Sequence, residues 1–260
     1  MPAESSGAVL IVTYHAVGPR PSPVVVTPHR LEADLTALLE NGFRLVSLDD
    51  CADWLSGHRE LPARSAVVTF DDAYASVVLE ALPILTRLRV PTTVFVIGGR
   101  IGNDNQWAGQ WRSVPRMPLA DAAQIRDLIA AGLSIGSHTW SHPDLACVDE
   151  ATLQAEICDS ADRLEQAFAT PIRHFAYPYG RRSEQAIAMV RRRYRTAVNA
   201  QPGLVASDDD PYDLNRADCE DVPIALKLRL NDPPLLTPYL AARSSLRRVR
   251  RQIDRMLLRA

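Results

Sequence analysis

The sequence lacks the features that mark several common protein classes. Its four cysteines, Cys51, Cys147, Cys158 and Cys219, include no CxxC pair and accompany no second cluster of cysteine and histidine. We therefore expect reduced, mostly buried thiols instead of a disulfide framework or a zinc finger. No GxGxxG motif follows the first predicted strand, which disfavours a Rossmann domain. The chain also has no internal repeat and no low-complexity segment.

Long apolar runs and a dominant charge are missing as well. No basic region precedes the apolar run at residues 8–12, which is too short for a signal segment or a membrane span, so we expect a cytoplasmic protein. The formal charge is −2 and the pI about 6.3, which offers no whole-chain case for nucleic-acid binding.

What the chain does have is enough apolar sequence for a large core. Of its 260 residues, 47% are hydrophobic and 23% charged, which excludes a disordered or collagen-like chain.

Strand-like and helix-like segments alternate along the sequence. Strands are predicted at residues 9–14, 43–48, 66–70, 92–97, 133–137, 173–176 and 196–199, and helices at 27–41, 49–56, 75–88, 121–131, 149–169 and 183–194.

This alternation predicts a parallel sheet with helices outside it. About seven such units in this length favour a closed α/β barrel, a single domain over residues 1–234. The loop at 100–118, with Trp107 and Trp111, is long enough to be a binding loop. Residues 201–221 form an acidic, turn-rich stretch. Its part at 208–221, with seven carboxylates, lacks calcium-loop spacing and is interpreted as a solvated loop. Residues 222–230 could add a strand.

Two adjacent carboxylates, Asp71 and Asp72, directly follow the strand predicted at 66–70. In a continuing strand they would point to opposite faces, but where a strand ends the backbone turns and both can reach one cavity. Two close carboxylates repel each other, and a metal ion on one or a proton on the other relieves the repulsion. The alternative is that Asp72 only caps the following helix.

Two histidines, His138 and His142, follow the strand predicted at 133–137. In a helical turn or tight loop, a spacing of four residues brings both ring nitrogens to one ion. Thr139 and Ser141 could add hydrogen bonds to such ligands. The alternative is a pair of surface histidines in a polar loop.

A third polar segment follows the strand predicted at 173–176. Pro178 and Gly180 bracket Tyr179 and restrict its backbone, and a rigid loop can aim an N–H group at a developing oxyanion. Taken alone, the segment is better interpreted as an aromatic strand that ends in an ordinary turn.

Together the three segments resemble, in order and spacing, the first three motifs of the polysaccharide deacetylase family, carbohydrate esterase family 4. They read TFDD at 69–72, HTWSH at 138–142 and YPYG at 177–180. The resemblance spans roughly residues 8–230. It implies a distorted parallel (β/α) barrel of about seven strands.

The resemblance also implies roles for individual residues. Asp72, His138 and His142 would bind a divalent metal ion, usually Zn²⁺, with Asp71 as general base and the Tyr179 N–H in the oxyanion hole. Two imidazoles and one carboxylate leave metal positions open for a water molecule and an acetamide oxygen, which suits this chemistry.

The sequence departs from the family pattern at the position of a late histidine, because no histidine follows His174. His15 ends the first strand. In a closed barrel the first and last strands are neighbours, so a strand moved from the end to the start keeps its place, as in some exopolysaccharide deacetylases. We predict that His15 is the general acid that protonates the leaving amine. The alternative is a histidine hydrogen-bonded to backbone.

A second departure is Ala176, which stands where the family usually has arginine, two residues before its proline. Arg216 is predicted to replace that arginine and to orient Asp71. The alternative is a surface arginine paired with Asp213 or Asp218.

Aromatic residues near these motifs could contact a sugar. The predicted substrate-binding residues are Trp140, which lies between the two histidines, Tyr177, Trp107 and Trp111. Each could equally be a core residue.

The C-terminal segment at 235–260 carries seven arginines and one aspartate, a net charge of +6, which leaves −8 for the rest of the chain. Its apolar residues recur every three or four positions: Tyr239, Ala242, Leu246, Val249, Ile253 and Met256. This predicts a basic amphipathic helix. We prefer a helix docked on the barrel; the alternative is peripheral contact with the inner face of an anionic membrane.

The functional hypothesis is a metal-dependent hydrolase that removes N-acetyl groups from an N-acetylamino sugar. Without a signal segment, a glycan precursor, nucleotide- or lipid-linked, is expected as partner in preference to mature cell wall. An O-deacetylase or deformylase would use the same site. A barrel that binds glycan but has lost catalysis is the non-enzymatic alternative.

Overall fold

The computed structural model of the protein describes residues 7–110, 113–219, 238–240 and 242. The strands of this part are β1 Ala8–Tyr14, β2 Ala16–Val17, β3 Val25–Val26, β4 Arg44–Leu45, β5 Ser65–Phe70, β6 Thr92–Val96, β7 Ser134–Ser137, β8 His174–Ala176, β9 Thr196–Val198, β10 Val205–Ala206 and β11 Ala217–Asp218. Its α-helices are α1 Pro28–Glu40, α2 Leu48–Leu55, α3 Leu82–Leu88, α4 Ala122–Ala130, α5 Glu150–Leu153, α6 Ser160–Phe168 and α7 Glu184–Arg193. Wider π-helical turns, Val77–Ala81 and Gln154–Asp159, precede α3 and α6.

Six parallel strands form a curled sheet. They lie side by side in the order β1, β5, β6, β7, β8, β9. The short β4 lies parallel to the start of β5, and β10 pairs antiparallel with the start of β1. Helical crossovers join most of the parallel strands, as a βα repeat requires.

The chain between Leu214 and Asp218 links the two outer edges of this sheet. Leu214 pairs in parallel with Val198 of β9, and β11 pairs in parallel with β1 through Val12 and Thr13. This segment acts as the seventh strand, so the predicted parallel barrel of about seven strands is confirmed.

Alternate residues of the strands face two different cores, because successive side chains of a strand point to opposite faces. Val9 and Ile11 of β1 belong to an inner cluster with residues of β5, β6, β8 and β9. Leu10, Val12 and Tyr14 belong to the outer cluster, where the strands meet the helices. Helix α2 also packs in the inner cluster and thus covers one end of the barrel.

Helix starts follow local rules that the sequence shows. Thr27 caps α1 by accepting a hydrogen bond from the Arg30 N–H at 3.1 Å, with Pro28 in the first turn, as predicted. Ser47 and Asp50 form a capping box on α2, which limits the strand expected at 43–48 to Arg44–Leu45.

The stretch at 201–221, expected to be only a loop, contains β10 and β11 in its described part. These strands have two residues each, too few to show an apolar alternation. Within the stretch, Asp209 and Asp210 accept hydrogen bonds from the backbone N–H groups of Ala206 and Tyr212, in local turns. The strand expected at 222–230 and nearly all of the helix expected at 235–260 lie outside the described residues, so both stay predictions.

All four cysteines lie in the described part of the chain and carry thiols that form no disulfide, as expected. Only Cys51 and Cys219 are buried, whereas Cys158 is half-buried and Cys147 exposed. In the described part of the chain, no helix combines the length and the apolar character needed to cross a membrane.

The centre of β7 provides a test of how closely the sheet is packed. A Cβ at Gly136 would lie 2.6 Å from the Phe95 ring and 2.8 Å from the His174 carbonyl oxygen. We expect Gly136→Ala to lower the free energy of unfolding by about 1–3 kcal/mol, because the ring and the neighbouring strand must move. Urea denaturation measures this change.

Gly7→Ala is the matched control, since a Cβ there meets no atom within 4 Å. It should change stability by less than about 0.5 kcal/mol. Equal stabilities for the two variants would contradict the packing argument.

Candidate active site

The predicted site residues stand where the parallel strands end. Asp71 and Asp72 follow β5, His138 follows β7, and Tyr177 follows β8. Because the carboxyl ends of parallel strands meet at one rim of a barrel, these residues converge there.

Unusual backbone conformations concentrate at this rim. Left-handed φ angles occur at Asp72 (68°), Ala73 (52°), Thr139 (70°), His142 (66°) and Tyr179 (58°). Each such residue costs on the order of 1–3 kcal/mol and persists only where its surroundings fix it. The turn at Asp72 is what directs both adjacent carboxylates into the site. Helical structure begins at Ala75, three residues after Asp72, and Asp72 Oδ1 has no hydrogen-bond partner in the described structure, so the helix-cap alternative for Asp72 is wrong.

One carboxylate oxygen and two imidazole nitrogens form a buried triad. Asp72 Oδ1 lies 3.4 Å from His138 Nε2 and 3.6 Å from His142 Nε2, and the two nitrogens lie 3.2 Å apart. These three residues also form the one group of potential metal ligands found among the described residues.

The donor atoms of the triad fit a small divalent ion. Ligands about 2.1 Å from a tetrahedral Zn²⁺ stand about 3.4 Å from one another, close to the observed spacings. Asp72 Oδ1 is buried and has no hydrogen-bond partner in the described structure. A buried carboxylate oxygen left in this way is costly unless a ligand satisfies it.

Hydrogen bonding, burial and nearby charge set the protonation of the two imidazoles. Burial alone would lower the pKa of His138, but the Asp72 carboxylate outweighs it and raises the pKa, so a metal ion that binds there must displace a proton. His138 Nδ1 lies 2.7 Å from the Ala176 carbonyl oxygen, which selects the tautomer with its proton on Nδ1 and a free Nε2. Burial, assisted by the neighbouring His138, lowers the pKa of His142 to about 3, so this ring is neutral near pH 7. A metal ligand must be neutral imidazole.

Asp71 is held by a buried arginine. Arg216 Nη1 and Nη2 donate to its two carboxylate oxygens, each at 2.7 Å. Burial alone would raise the pKa of Asp71, but the guanidinium of Arg216 outweighs it and holds the pKa well below its usual range. Asp71 is therefore an ionised carboxylate at neutral pH. This is the contact that the Arg216 hypothesis requires, and the surface alternative is wrong because the arginine is 2% exposed.

Other N–H groups of the Arg216 guanidinium have acceptors as well. Its Nε donates to the Asn199 carbonyl oxygen at 2.7 Å, and Nη1 also donates to Thr13 Oγ1 at 3.0 Å and Thr69 Oγ1 at 3.3 Å. These partners come from β1, β5 and the end of β9, so the arginine cannot turn away from Asp71.

His15 stands next to Asp71, at the end of β1. Its Nε2 lies 4.0 Å from Asp71 Oδ2, and its side chain is 28% exposed. The imidazole thus borders both the site and the solvent. Its role as general acid stays a prediction.

Trp107 and Tyr179 form an aromatic wall beside the triad. Both rings lie 4.6 Å from the His142 ring, and Trp107 Nε1 donates to the Tyr179 hydroxyl at 3.1 Å. The loop at 100–118 therefore reaches the site, as its predicted binding role requires. The oxyanion role of the Tyr179 N–H stays a prediction.

The other predicted substrate contacts lie differently. Tyr177 is 0% exposed and donates its hydroxyl to the Tyr212 carbonyl, so its side chain offers no surface to a sugar in this structure. The Trp140 ring packs on Gly98 and Gly99, and the Arg163 guanidinium lies 4.5 Å over it. These contacts give the Trp140 ring a packing role in the structure, and its contact with a sugar stays a prediction. Trp111 lies outside the described residues.

Several residues around the site were not predicted. Glu156 contacts the loop between the two histidines, and Tyr74 lies beside the Asp72 carboxylate. Glu156 had a detectable signal, because it is an acidic residue next to the apolar stripe of its helix at Leu153 and Ile157. Tyr74 had none beyond its position two residues after Asp72.

Comparison with known proteins places these motifs in a family. Residues 58–197, more than half of the chain, match the polysaccharide deacetylase family. The matched range contains the triad, Asp71 and Tyr179, whereas His15 and Arg216 lie outside it.

Individual relatives agree with this match. YxkH of Bacillus subtilis (strain 168), whose name places it with the polysaccharide deacetylases, is 25% identical over 214 residues, 82% of this chain and 72% of that protein. A poly-β-1,6-N-acetyl-D-glucosamine N-deacetylase of Staphylococcus aureus (strain MRSA252) is 23% identical over 142 residues, 51% of this chain and 46% of that protein.

A solved structure shows the same fold. IcaB from Ammonifex degensii superposes with a TM-score of 0.72 at 23% identity, covering 86% of this chain and 97% of that one. Since the family match spans more than half of the sequence and includes the motifs at the barrel rim, the chain belongs to the polysaccharide deacetylase family.

Proposed function

We propose that this protein is a metal-dependent hydrolase that removes N-acetyl groups from an N-acetylated glycan or glycan precursor. The observation that carries the proposal is the convergence of the Asp72–His138–His142 triad with an ionised Asp71 at one rim of the barrel. The relatives add weight, because the name of the Staphylococcus aureus relative describes N-deacetylation of a poly-N-acetylglucosamine.

The metal of the proposal is Zn²⁺, held by Asp72, His138 and His142. A set of two imidazoles and one carboxylate is typical of zinc sites that keep a position open for substrate or water. When bound, the ion would polarise the acyl carbonyl and lower the pKa of a water molecule.

Asp71 takes the proton from the attacking water in this scheme. It has no proton of its own near pH 7, because Arg216 keeps it ionised. The bidentate contact also fixes both carboxylate oxygens, so the base does not have to be oriented during the reaction.

His15 donates a proton to the leaving amine, and the Tyr179 N–H stabilises the developing oxyanion. The partial exposure of His15 lets it recover a proton from solvent after each turnover. The left-handed conformation of Tyr179, between Pro178 and Gly180, holds its peptide group in a restricted orientation.

The substrate class of the proposal is a sugar that carries an N-acetyl group, with Trp107, whose ring lies 4.6 Å from the His142 ring, as an aromatic contact beside the triad. O-Deacetylation or deformylation would use the same groups, so the choice of acyl group rests on the relatives. The buried Asp71–Arg216 pair argues against a barrel that only binds glycan, because sugar binding alone does not need an oriented base.

Zinc-dependent acetate release is the first test. Metal-stripped protein with added Zn²⁺ should release acetate from N-acetylamino sugars, including oligomeric, nucleotide-linked and lipid-linked forms. Asp71→Asn should lower kcat by about 10²–10⁴-fold, because the amide cannot accept the proton.

Asp71→Asn should still bind Zn²⁺, since Asp71 is not one of the three proposed metal ligands. Zinc uptake without acetate release from any sugar would exclude the N-acetyl proposal and direct the search to O-acetyl or formyl substrates. Equal turnover of the variant and the unmodified protein would exclude Asp71 as the base.

A kinetic test addresses His15. His15→Ala should lower kcat by about 10²-fold or more and leave the zinc content unchanged, because the leaving amine loses its proton donor while the triad stays intact. His58→Ala, at an exposed histidine in the loop after α2, is the control and should keep full activity. Near-normal turnover of His15→Ala would contradict the general-acid role.

Arg216→Lys tests the orientation of the base. Lysine keeps the charge but cannot donate to both Asp71 oxygens and to Asn199 at once. We expect a loss of about 10–100-fold in kcat with little change in KM, since misplacement of a reacting group costs about this much. Arg191→Lys, at a surface pair with Asp210, should have no effect. If both variants keep full activity, the orienting role is wrong.

A further inference from the structure

The loop between the two triad histidines is held by a glutamate that belongs to a neighbouring helix. Glu156 Oε2 accepts hydrogen bonds from the backbone N–H groups of Trp140 and Ser141, each at 2.8 Å. Its Oε1 accepts a third from Ser141 Oγ at 2.6 Å. One carboxylate therefore accepts hydrogen bonds from two consecutive backbone N–H groups and one hydroxyl of the loop.

The loop needs such support because its backbone is strained. Thr139 and His142, at its two ends, both have left-handed φ angles. On the other side of the loop, the Gly98 and Gly99 N–H groups donate to the carbonyls of Thr139 and Trp140 at 3.0 and 2.8 Å. The loop is thus clamped between the end of β6 and the Glu156 carboxylate.

Glu156 itself is fixed in place. It lies in the π-helical turn Gln154–Asp159 and is 6% exposed. The neighbouring Ile157 carbonyl accepts a hydrogen bond from the Tyr194 hydroxyl at 2.6 Å, and Ser160 at the start of α6 contacts Ser137 of β7 at 3.1 Å. A widened turn of this kind changes which side chains face inward, and such turns are frequent at functional sites.

The geometry of the triad explains why a rigid loop matters. Two imidazole nitrogens and a carboxylate oxygen converge within 3.6 Å of one another. Lone pairs brought together in this way repel each other until an ion binds between them, so the polypeptide must hold them against that repulsion. Both histidines flank one short loop, so the rigidity of this loop decides how well their ring nitrogens are held together.

We propose that Glu156 is a positioning residue for the metal centre: it fixes the loop at 139–141 so that His138 and His142 are preorganised for the ion. This inference rests on the proposed metal-dependent function. Glu156 touches neither the triad atoms nor a substrate in this arrangement; it acts through the backbone of Trp140 and Ser141.

The first readout is zinc affinity, measured on the metal-stripped whole chain by competition with a chromophoric chelator. Glu156→Ala should weaken zinc binding by about 10–100-fold, the usual effect of removing a residue that orients a metal ligand. Glu156→Asp, which is one methylene too short to reach the loop, should do the same and serves if the alanine variant does not fold.

Glu156→Gln is the conservative variant. Its amide oxygen can still accept from both backbone N–H groups, and its NH₂ can donate to Ser141 Oγ. It should therefore bind zinc within about threefold of the unmodified protein. Glu165→Ala is the matched control: Glu165 lies on α6 and accepts a hydrogen bond from the Ile172 N–H at 2.8 Å, away from the triad. It should leave zinc affinity unchanged.

The second readout is hydrogen exchange of the peptide that contains Trp140 and Ser141, in the metal-free protein. Exchange should be faster in Glu156→Ala than in Glu165→Ala, because the two amides have lost their acceptor. Unchanged zinc affinity in Glu156→Ala and Glu156→Asp would overturn the inference and leave the proposed function intact. An unmodified protein that takes up no zinc would instead overturn the proposed metal chemistry, and the positioning role with it.

Discussion

The buried ion pair between Arg216 and Asp71 is the contact on which the arrangement of the site depends. A carboxylate and a guanidinium taken out of water are costly unless each is fully hydrogen-bonded. Here Arg216 has acceptors on β1, on β5 and after β9, in addition to both oxygens of Asp71. Arg216 also lies in the segment that links the outer edges of the sheet. The segment that closes the barrel therefore also carries the residue that positions Asp71.

Around this pair the fold gathers groups that would be unfavourable without a ligand. Asp72 Oδ1 is buried with no hydrogen-bond partner among the described residues, the Nε2 atoms of the two imidazoles lie 3.2 Å apart, and five residues at the rim have left-handed backbones. The packed strands beneath them, which are buried along nearly their whole lengths, offset this cost. A rigid parallel barrel supplies the fixed strand ends that such a site needs, while its loops supply the aromatic wall that Trp107 and Tyr179 form.

Local sequence features predicted most of the elements correctly. Thr27 and Pro28 mark the start of α1 because capping chemistry is local, and the apolar run at 9–14 marks β1 because a strand buried on both faces is apolar throughout. The two-residue strands β10 and β11 had no comparable signal, since their pairing partner, β1, lies about 200 residues earlier in the chain. Tyr177 shows that a motif does not determine side-chain direction. The motif placed this residue at the rim, but only the structure showed that its ring is buried.

The sequence by itself determined the types and the order of the candidate site residues, since Asp71 and Asp72 follow one strand and His138 and His142 another, and the apolar pattern of both strands is visible without coordinates. It also indicated that a closed barrel would make His15 a neighbour of the last strand. Only the tertiary structure decided which arginine reaches Asp71, which rings line the triad and that Glu156 supports the loop between the histidines. Those contacts join residues far apart in sequence, and their distances depend on how strands and helices pack, which local pattern does not encode.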